Sequence, residues 1–244
     1  MSNRYLIHMD TSSVSNVSIT GQASVAKVAG NPFQCTIILG NRHRRIRAVS
    51  LKNAQIPIGF YNIRAPYNTM ILNGTTYTVA PGNYNSTSFL AAVNAAIGNG
   101  VGVFAIQNSQ NIITFTANSG SVTLTVTPPS LLAFMGFTNL QSGAFITAPN
   151  SYIINFDSYI RIWIENLGQS SLEPSQTTFK IPVNVAPGSI LQWTELGQFM
   201  QRVEVTDRGA RLDRLNITVI DRYGNIINNN GLDWSFTLEI EADN

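Results

Sequence analysis

Residues 212–241 read LDRLNITVIDRYGNIINNNGLDWSFTLEIE, and apolar and polar side chains alternate in both halves of this segment. The first half carries Leu215, Ile217 and Val219; the second half carries Leu232, Trp234, Phe236, Leu238 and Ile240. A period of two indicates strands with one buried face. The Asn- and Gly-rich residues between the two runs are typical of a turn. The segment therefore predicts two long antiparallel strands joined by a loop.

The second of these strands carries two large aromatic residues, Trp234 and Phe236, on its apolar side. Burying them requires a second layer, which for a strand means an opposing sheet. Upstream, about eight to ten short apolar runs are separated by turn residues, and this spacing is typical of sandwiches and jelly rolls. The predicted fold class is mainly β, a single jelly-roll β-sandwich with a small inserted α+β subdomain.

The inserted subdomain is predicted from a change of pattern at Asn73, where short strands begin to alternate with helical spacing. Ser86 or Ser88 is placed to cap a helix that ends near Ile97, and Ser130 is placed to cap a second, shorter helix. The predicted domains are an N-terminal arm over 1–31, a jelly-roll domain over 32–72 and 140–244, and the inserted subdomain over 73–139.

The composition favours a protein that assembles with neighbours. The chain is 44% hydrophobic and 11% charged, whereas soluble domains are about 25% charged. A surface with so few charges suits a protein that other subunits cover. The net charge of +2 does not by itself indicate a nucleic-acid partner. The N-terminus does not resemble a signal peptide and no apolar run is long enough to span a membrane, so we expect a soluble protein made inside a cell.

Residues for catalysis or metal binding are sparse. The two histidines, His8 and His43, have no Cys or carboxylate at ligand spacing, and the single Cys35 can form neither an intrachain disulfide nor a metal cluster alone. No nucleophile-elbow, phosphate-binding or dinucleotide-binding pattern occurs. We therefore predict no catalytic, metal or cofactor site and expect no cofactor.

The strongest charge feature is a run of arginines, Arg42, Arg44, Arg45 and Arg47. Such a run can contact nucleic acid, or it can be an exposed strand whose charges discourage edge pairing. No aromatic residues are interleaved with the arginines to stack on bases. We favour an exposed strand or a protein contact over direct contact with nucleic acid.

A second cluster has mixed charge and contains Arg208, Arg211, Asp213 and Arg214. Each acid in this region has an arginine beside it, which favours ion pairs at turns or at a subunit interface over acid–base catalysis. The arginines of both clusters, together with Asp213, are the candidate assembly-interface residues.

Two other functions stay open from the residues alone. A receptor- or glycan-binding module of a virus fibre would use exposed aromatics such as Tyr77 and Tyr84 in the insert. A glycan hydrolase would need two carboxylates facing each other across a groove, and neither Glu173 nor Glu195 has a partner in the sequence.

Several stretches together resemble minor capsid proteins of icosahedral DNA viruses with double-jelly-roll major capsids, including virophages and large algal or amoebal viruses. The stretches, in chain order, are Arg47–Pro57, Phe60–Ile63, Pro81–Tyr84, Leu132–Phe137, Leu215–Asp221, Tyr223–Asn225 and Asp233–Phe236.

Within that family the size of the chain is most similar to that of the penton, which closes the fivefold vertices. The resemblance implies a homopentamer located in the virion at the capsid vertex and assembled inside the host cell. It further implies contacts with the major capsid protein and other minor capsid proteins, and no catalysis. Another minor or cement capsid protein is the alternative within the same family.

Overall fold

The chain forms two compact units in a computed structural model, a first unit of Met1–Phe60 with Asp157–Asn244 and a second unit of Tyr61–Phe156. The structure describes residues 2–12, 23–44, 46–98, 103–107, 110–155, 157–165, 178–195, 201–204 and 211–243. Among these residues no helix is long and apolar enough to cross a membrane.

The first unit consists of two antiparallel sheets. Sheet A contains β1 (Ser2–Asp10), β4 (Ile46–Pro57), β14 (Ile190–Thr194), β15 (Gln201–Glu204) and β17 (Ser235–Asp243). Sheet B contains β2 (Ala23–Val28), β3 (Asn31–Arg44), β12 (Tyr159–Ile164), β13 (Thr178–Pro182) and β16 (Arg211–Ile220). The neighbour order is β1-β17-β4-β14 in sheet A, with β15 also paired to β4, and β13-β12-β16-β3-β2 in sheet B.

This order is that of a jelly roll. β14 and β15 pair with successive parts of β4, so they occupy one strand position. If β2 is set aside as an additional edge strand, eight positions remain in chain order. Sheet A then reads first-eighth-third-sixth and sheet B reads fifth-fourth-seventh-second. Two four-stranded sheets that exchange strands in this way form the jelly-roll sandwich, which confirms the predicted fold class.

The closing segment contributes one strand to each sheet. β16 pairs with β3 and β12, and β17 pairs with β1 and β4, so the two predicted strands do not pair with each other. Both bury the apolar face that the alternation indicates, since Leu215 and Phe236 are fully buried. Leu232 differs from its prediction: it is 44% exposed because β17 begins only at Ser235.

The core of the first unit lies between its two sheets and contains side chains from both. Trp234 is 2% exposed and packs edge-on against Phe33, with ring centroids 5.7 Å apart, and stacks on Phe236 at 4.4 Å. The indole Nε1–H of Trp234 donates to the carbonyl of Pro32 at 2.9 Å. The second layer predicted for these aromatics is therefore sheet B, since Phe33 lies on β3.

The second unit contains two smaller sheets and two helices around its own core. One sheet has the order β10-β9-β5-β6 and the other β11-β8-β7, all antiparallel. The elements are β5 (Thr69–Leu72), β6 (Thr75–Thr78), α1 (Ser86–Ile97), β7 (Val103–Gln107), β8 (Ile112–Thr116), β9 (Val122–Thr125), α2 (Leu131–Phe134), β10 (Gln141–Gly143) and β11 (Phe145–Thr147).

Helix α1 spans the residues predicted for it, but its cap differs. Asn85 is the N-cap, its side chain accepts from the Ser88 backbone N–H at 2.9 Å, and the Ser88 hydroxyl accepts from the Asn85 N–H at 3.0 Å. Ser88 is therefore the third helical residue of a capping box instead of the cap itself. Phe89, Val93 and Ile97 form the buried face of α1.

The structure differs from the predicted domain limits in two places. The second unit extends over 61–156, beyond the predicted 73–139, because β5, β10 and β11 complete its sheets. Within the predicted arm 1–31, β1 pairs with β17 along its whole length and β2 pairs with β3. Ile7 and Met9 of β1 are buried in the core of the first unit, so both strands belong to the jelly roll and not to a free arm.

The arginine run spans the end of one strand and the start of the next. β3 continues through Gly40 and Asn41 to Arg44, and β4 begins at Ile46. The strand continues because β16 pairs with it on both sides of a register shift between Leu212 and Arg214.

Candidate assembly surface

Pairing in sheet B brings the two predicted charge clusters together. Arg44 on β3 and Arg211 on β16 are directly opposed Cα partners. Arg42 lies two residues before Arg44 on the same strand. This pairing brings arginines of both clusters to the same end of the strand pair. Arg45 and Arg208 lie outside the described residues.

Three further members of the predicted surface lie on the same strands or on the one that follows. Arg47 near the start of β4 and Arg214 on β16 are exposed. Asp213 occupies β16 between Leu212 and Arg214, where the register shifts. The structure thus places the described members of both clusters at one end of the first unit, and we call this region the arginine corner, defined by Arg42, Arg44, Arg47, Arg211, Asp213 and Arg214.

Sheet A continues the charged surface beside this corner. Ala242 of β17 is paired with Ile46, one residue before Arg47. Next to it, Arg202 on β15 lies 3.2 Å from Glu241 and 2.8 Å from Glu204. Exposed ion pairs contribute little to stability, but they create a pattern of both signs that a neighbouring subunit can complement.

A second ion-pair group lies further along sheet A. Lys52 Nζ is 2.7 Å from Glu195 Oε2 and 3.4 Å from Glu239 Oε1. Arg4 approaches the same Glu239 oxygen at 4.0 Å. Burial lowers the pKa of Lys52, but its hydrogen bond to Glu195 and the charges of the two glutamates outweigh burial, so the pKa is raised. Glu195, considered above for catalysis, is therefore part of an ion pair.

The acid at the end of β16 shapes a turn. Asp221 is fully buried, and its Oδ1 accepts the backbone N–H groups of Tyr223 at 2.8 Å and Asn225 at 3.0 Å. Arg161 Nη2 donates to the Asp221 carbonyl at 3.2 Å. The neighbouring Arg222 is exposed and its guanidinium lies 4.8 Å from the Tyr223 ring centroid. This acid thus fixes the start of the crossing from sheet B to sheet A.

A cleft of about 210 Å³ at the other end of sheet A is lined by two carboxylates, Asp10 and Asp233. Lys27 Nζ lies 2.7 Å from Asp233, and a hydrogen bond from Ser12 is the main cause of a lowered pKa at Asp10. Glycoside hydrolysis needs one carboxyl group with a raised pKa that donates a proton. With its lowered pKa, Asp10 is unsuited to be that proton donor, and Asp233 is in an ion pair with Lys27.

Metal ligands do not converge in the part of the chain that the structure describes, where no three His, Cys, Asp or Glu side chains form a candidate site. His8 Nδ1 lies 3.0 Å from the Thr237 hydroxyl. Cys35 is buried in the core of the first unit, and burial raises the pKa of its thiol to about 12. The thiol is therefore protonated at neutral pH and is a poor nucleophile.

The tyrosines considered for glycan stacking lie against the core of the second unit. Tyr77 packs on that core, and the Tyr84 ring lies 6.5 Å from Phe89 while its hydroxyl donates to the Ala80 carbonyl at 2.8 Å. Among the described residues of this unit the most exposed aromatic is instead Phe145, at 75%, followed by Tyr61 at 37%. The sequence did not indicate Phe145, because a strand of three residues is too short to show a period of two.

Comparison with protein families and with curated proteins finds no match. Among solved structures, the crystal structure of the selenomethionine-labelled mavirus penton protein aligns with 98% of this chain and 100% of its own, at 11% sequence identity and a TM-score of 0.46. The chain is similar to the mavirus penton protein.

Proposed function

We propose that this chain is a structural capsid protein of an icosahedral virion and that it has no catalytic role. The single observation that carries the proposal is the jelly-roll strand order of the first unit, with the second unit inserted between the third and fourth strand positions. A fold alone does not define a function. The functional class comes from the sequence stretches between Arg47 and Phe236 that resemble minor capsid proteins. These stretches occur in both units.

Within the capsid, the proposed role is that of the penton, a homopentamer that closes the fivefold vertices. Subunits in a closed ring contact each other through two different faces. The ring would be surrounded by the major capsid protein and other minor capsid proteins, and the protein would be located in the virion after assembly inside the host cell. Direct contact with nucleic acid is not part of the proposal.

The arginine corner is the proposed contact for an acidic face of a neighbouring subunit. Arg44 and Arg211 occupy opposed positions on neighbouring strands, and arginine binds carboxylates through two parallel hydrogen bonds. Glu204, which is exposed on β15, shows that the same unit also presents acids. The proposed contact therefore joins surfaces of mixed charge on neighbouring subunits.

The test is the native mass of the full chain, measured by native mass spectrometry and light scattering at low salt. We expect five chain masses. Arg211→Glu should weaken the pentamer at least tenfold, whereas Arg222→Glu, an exposed arginine in the turn after β16, should leave it unchanged. Raising the salt concentration should weaken the wild-type ring in the same direction, because ion pairs between exposed groups are screened.

Other masses would redirect the assignment. A stable trimer would contradict the penton role and favour a fibre module. A monomer that binds purified major capsid trimers without forming a ring would favour the cement-protein alternative. A monomer that binds no capsid component would contradict the capsid proposal itself.

A further inference from the structure

The second unit carries almost no charge. Of the chain's 15 Lys and Arg and 13 Asp and Glu residues, Arg64 alone lies within 61–156, and both histidines lie elsewhere. Arg64 is 8% exposed, and its Nη1 donates to the Tyr61 carbonyl at 2.8 Å. Soluble domains are about 25% charged. The described surface of this unit therefore consists of hydroxyl, amide, backbone and apolar groups.

One sheet face of this unit combines hydroxyl groups with an exposed aromatic ring. In the β11-β8-β7 sheet, Ile113, Phe115 and Ile146 are buried in the core, so the residues that alternate with them lie on the outer face. On that face Phe145 is paired with Thr116, and Thr147 with Thr114.

The groups on this outer face are available to a ligand. Phe145 is 75% exposed, Thr147 is exposed, and Thr114 and Thr116 are partly exposed. The hydroxyls of Thr114 and Thr147 lie 3.1 Å apart, and each hydroxyl retains further donor or acceptor capacity. We call these four residues the threonine–phenylalanine face.

We infer that the threonine–phenylalanine face binds a neutral glycan. A pyranose presents hydroxyl groups along its edges and C–H groups on its flat face. Threonine hydroxyls can exchange hydrogen bonds with the former, and an exposed aromatic ring can pack on the latter. A glycan without carboxylate, sulfate or phosphate brings no charge that this unit would have to neutralise. The inference rests on the second unit alone and is independent of the capsid proposal.

Charged partners fit this face poorly. A nucleic acid or an acidic peptide is bound through Lys and Arg, and the second unit has only the buried Arg64. An ordinary protein surface would bring charges that lose water without gaining a partner. Protein interfaces are enriched in Tyr, Trp, Phe, Met and Arg, and of these residue types the face carries Phe145 alone, beside three threonines. A second copy of this unit carries equally little charge, so the experiment must distinguish self-association through this face from glycan binding.

The experiment applies the full chain to a printed array of neutral, sialylated and sulfated glycans. Dense printing makes weak binding visible through multivalency. We expect signals on neutral glycans, with no preference for charged ones. The strongest neutral glycan is then titrated in solution at 50 and 500 mM salt, and we expect the two dissociation constants to agree within about twofold because no ion pair is involved.

Variants locate the site. Phe145→Ala should weaken binding at least tenfold and Thr116→Val severalfold, with the melting temperature and the native mass unchanged. Ile190→Ala, which shortens another exposed apolar side chain in the first unit (58% exposed), is the matched control and should bind as the wild type.

Four results would overturn the inference. They are no binding to any neutral glycan, a preference for sialylated or sulfated glycans, normal binding by Phe145→Ala, and a native mass that falls when Phe145 is replaced. The last result would assign the face to a second copy of the chain. The capsid proposal fails on a different readout, the mass of the wild-type assembly, so the two failures can be told apart.

Discussion

Trp234 combines a packing role with a hydrogen-bonding role, and the two can be separated. Trp234→Ala removes the ring that contacts Phe33 and Phe236 and should lower the free energy of unfolding by about 3–5 kcal/mol. Trp234→Phe keeps most of the packing but leaves the Pro32 carbonyl without its donor, a loss of about 1–3 kcal/mol. Urea unfolding followed by far-UV circular dichroism measures both. Equal losses would contradict the separate contribution of the hydrogen bond.

A comparison of Gly136 with Gly120 separates the cost of a steric clash with the backbone from the cost of a positive φ angle. Both have positive φ, +92° and +67°, so alanine costs about 1–2 kcal/mol at either position. A Cβ on Gly136 would collide with the Asn150 carbonyl, whereas nothing lies within 4 Å of a Cβ on Gly120. Gly136→Ala should therefore destabilise the second unit by about 1–3 kcal/mol more than Gly120→Ala, measured by hydrogen exchange of α1. A smaller difference would show that the loop moves away freely.

At the scale of the strand, two substitutions in β1 test whether it is a structural element of the first unit or a detachable arm. Ile7 is 3% exposed and Leu6 is 46% exposed on adjacent positions. Ile7→Ala should cost about 2–5 kcal/mol of unfolding free energy, and Leu6→Ala should stay within about 0.5 kcal/mol. Tryptophan fluorescence in urea measures both variants. If both were neutral, β1 would not be part of the cooperative unit in solution.

Strands β16 and β17 show which features of the fold the sequence could predict. Alternation around Ile217 and Leu238 correctly predicted buried faces because burial acts on each strand separately. It could not predict that β16 and β17 join opposite sheets, because alternation records which face is buried and not which strand lies beside it. The pairing of Arg44 with Arg211 depends on a register shift within β16. Each cluster was evident in the sequence, but only the structure shows that Arg44 and Arg211 are close together.

At the scale of the whole molecule, the ionisable groups are divided unequally between the units. In the first unit Asp10 has a lowered pKa, chiefly through its hydrogen bond from Ser12. It therefore contributes stability above its ordinary pKa of about 3.9, and that contribution is lost as the pH falls through the lower, folded-state value. Lys52 has a raised pKa, so its contribution is present at neutral pH and is lost as the pH rises through the folded value.

The second unit contains no Asp, Glu, His, Lys or Cys, and Tyr and Arg titrate only above about pH 9. A unit that binds or releases no protons on unfolding has a stability independent of pH. If the second unit unfolds by itself, its urea midpoint, measured by hydrogen exchange of α1 peptides, should be constant from about pH 3 to 8. All three tryptophans lie outside 61–156, so tryptophan fluorescence reports the first unit, whose midpoint should fall at pH 3.

Asn68→Asp gives this prediction its positive control. Asn68 is 5% exposed and its Nδ2 donates to the Val79 carbonyl at 2.8 Å, so an ionised carboxylate there would be buried facing another oxygen. Its pKa would be raised, and the second unit should become less stable at pH 7 and recover as the pH falls, when the protonated group can donate to Val79. If the wild-type midpoint of the second unit instead moved with pH, the two units would have to unfold together, because only the first unit supplies groups that titrate in this range.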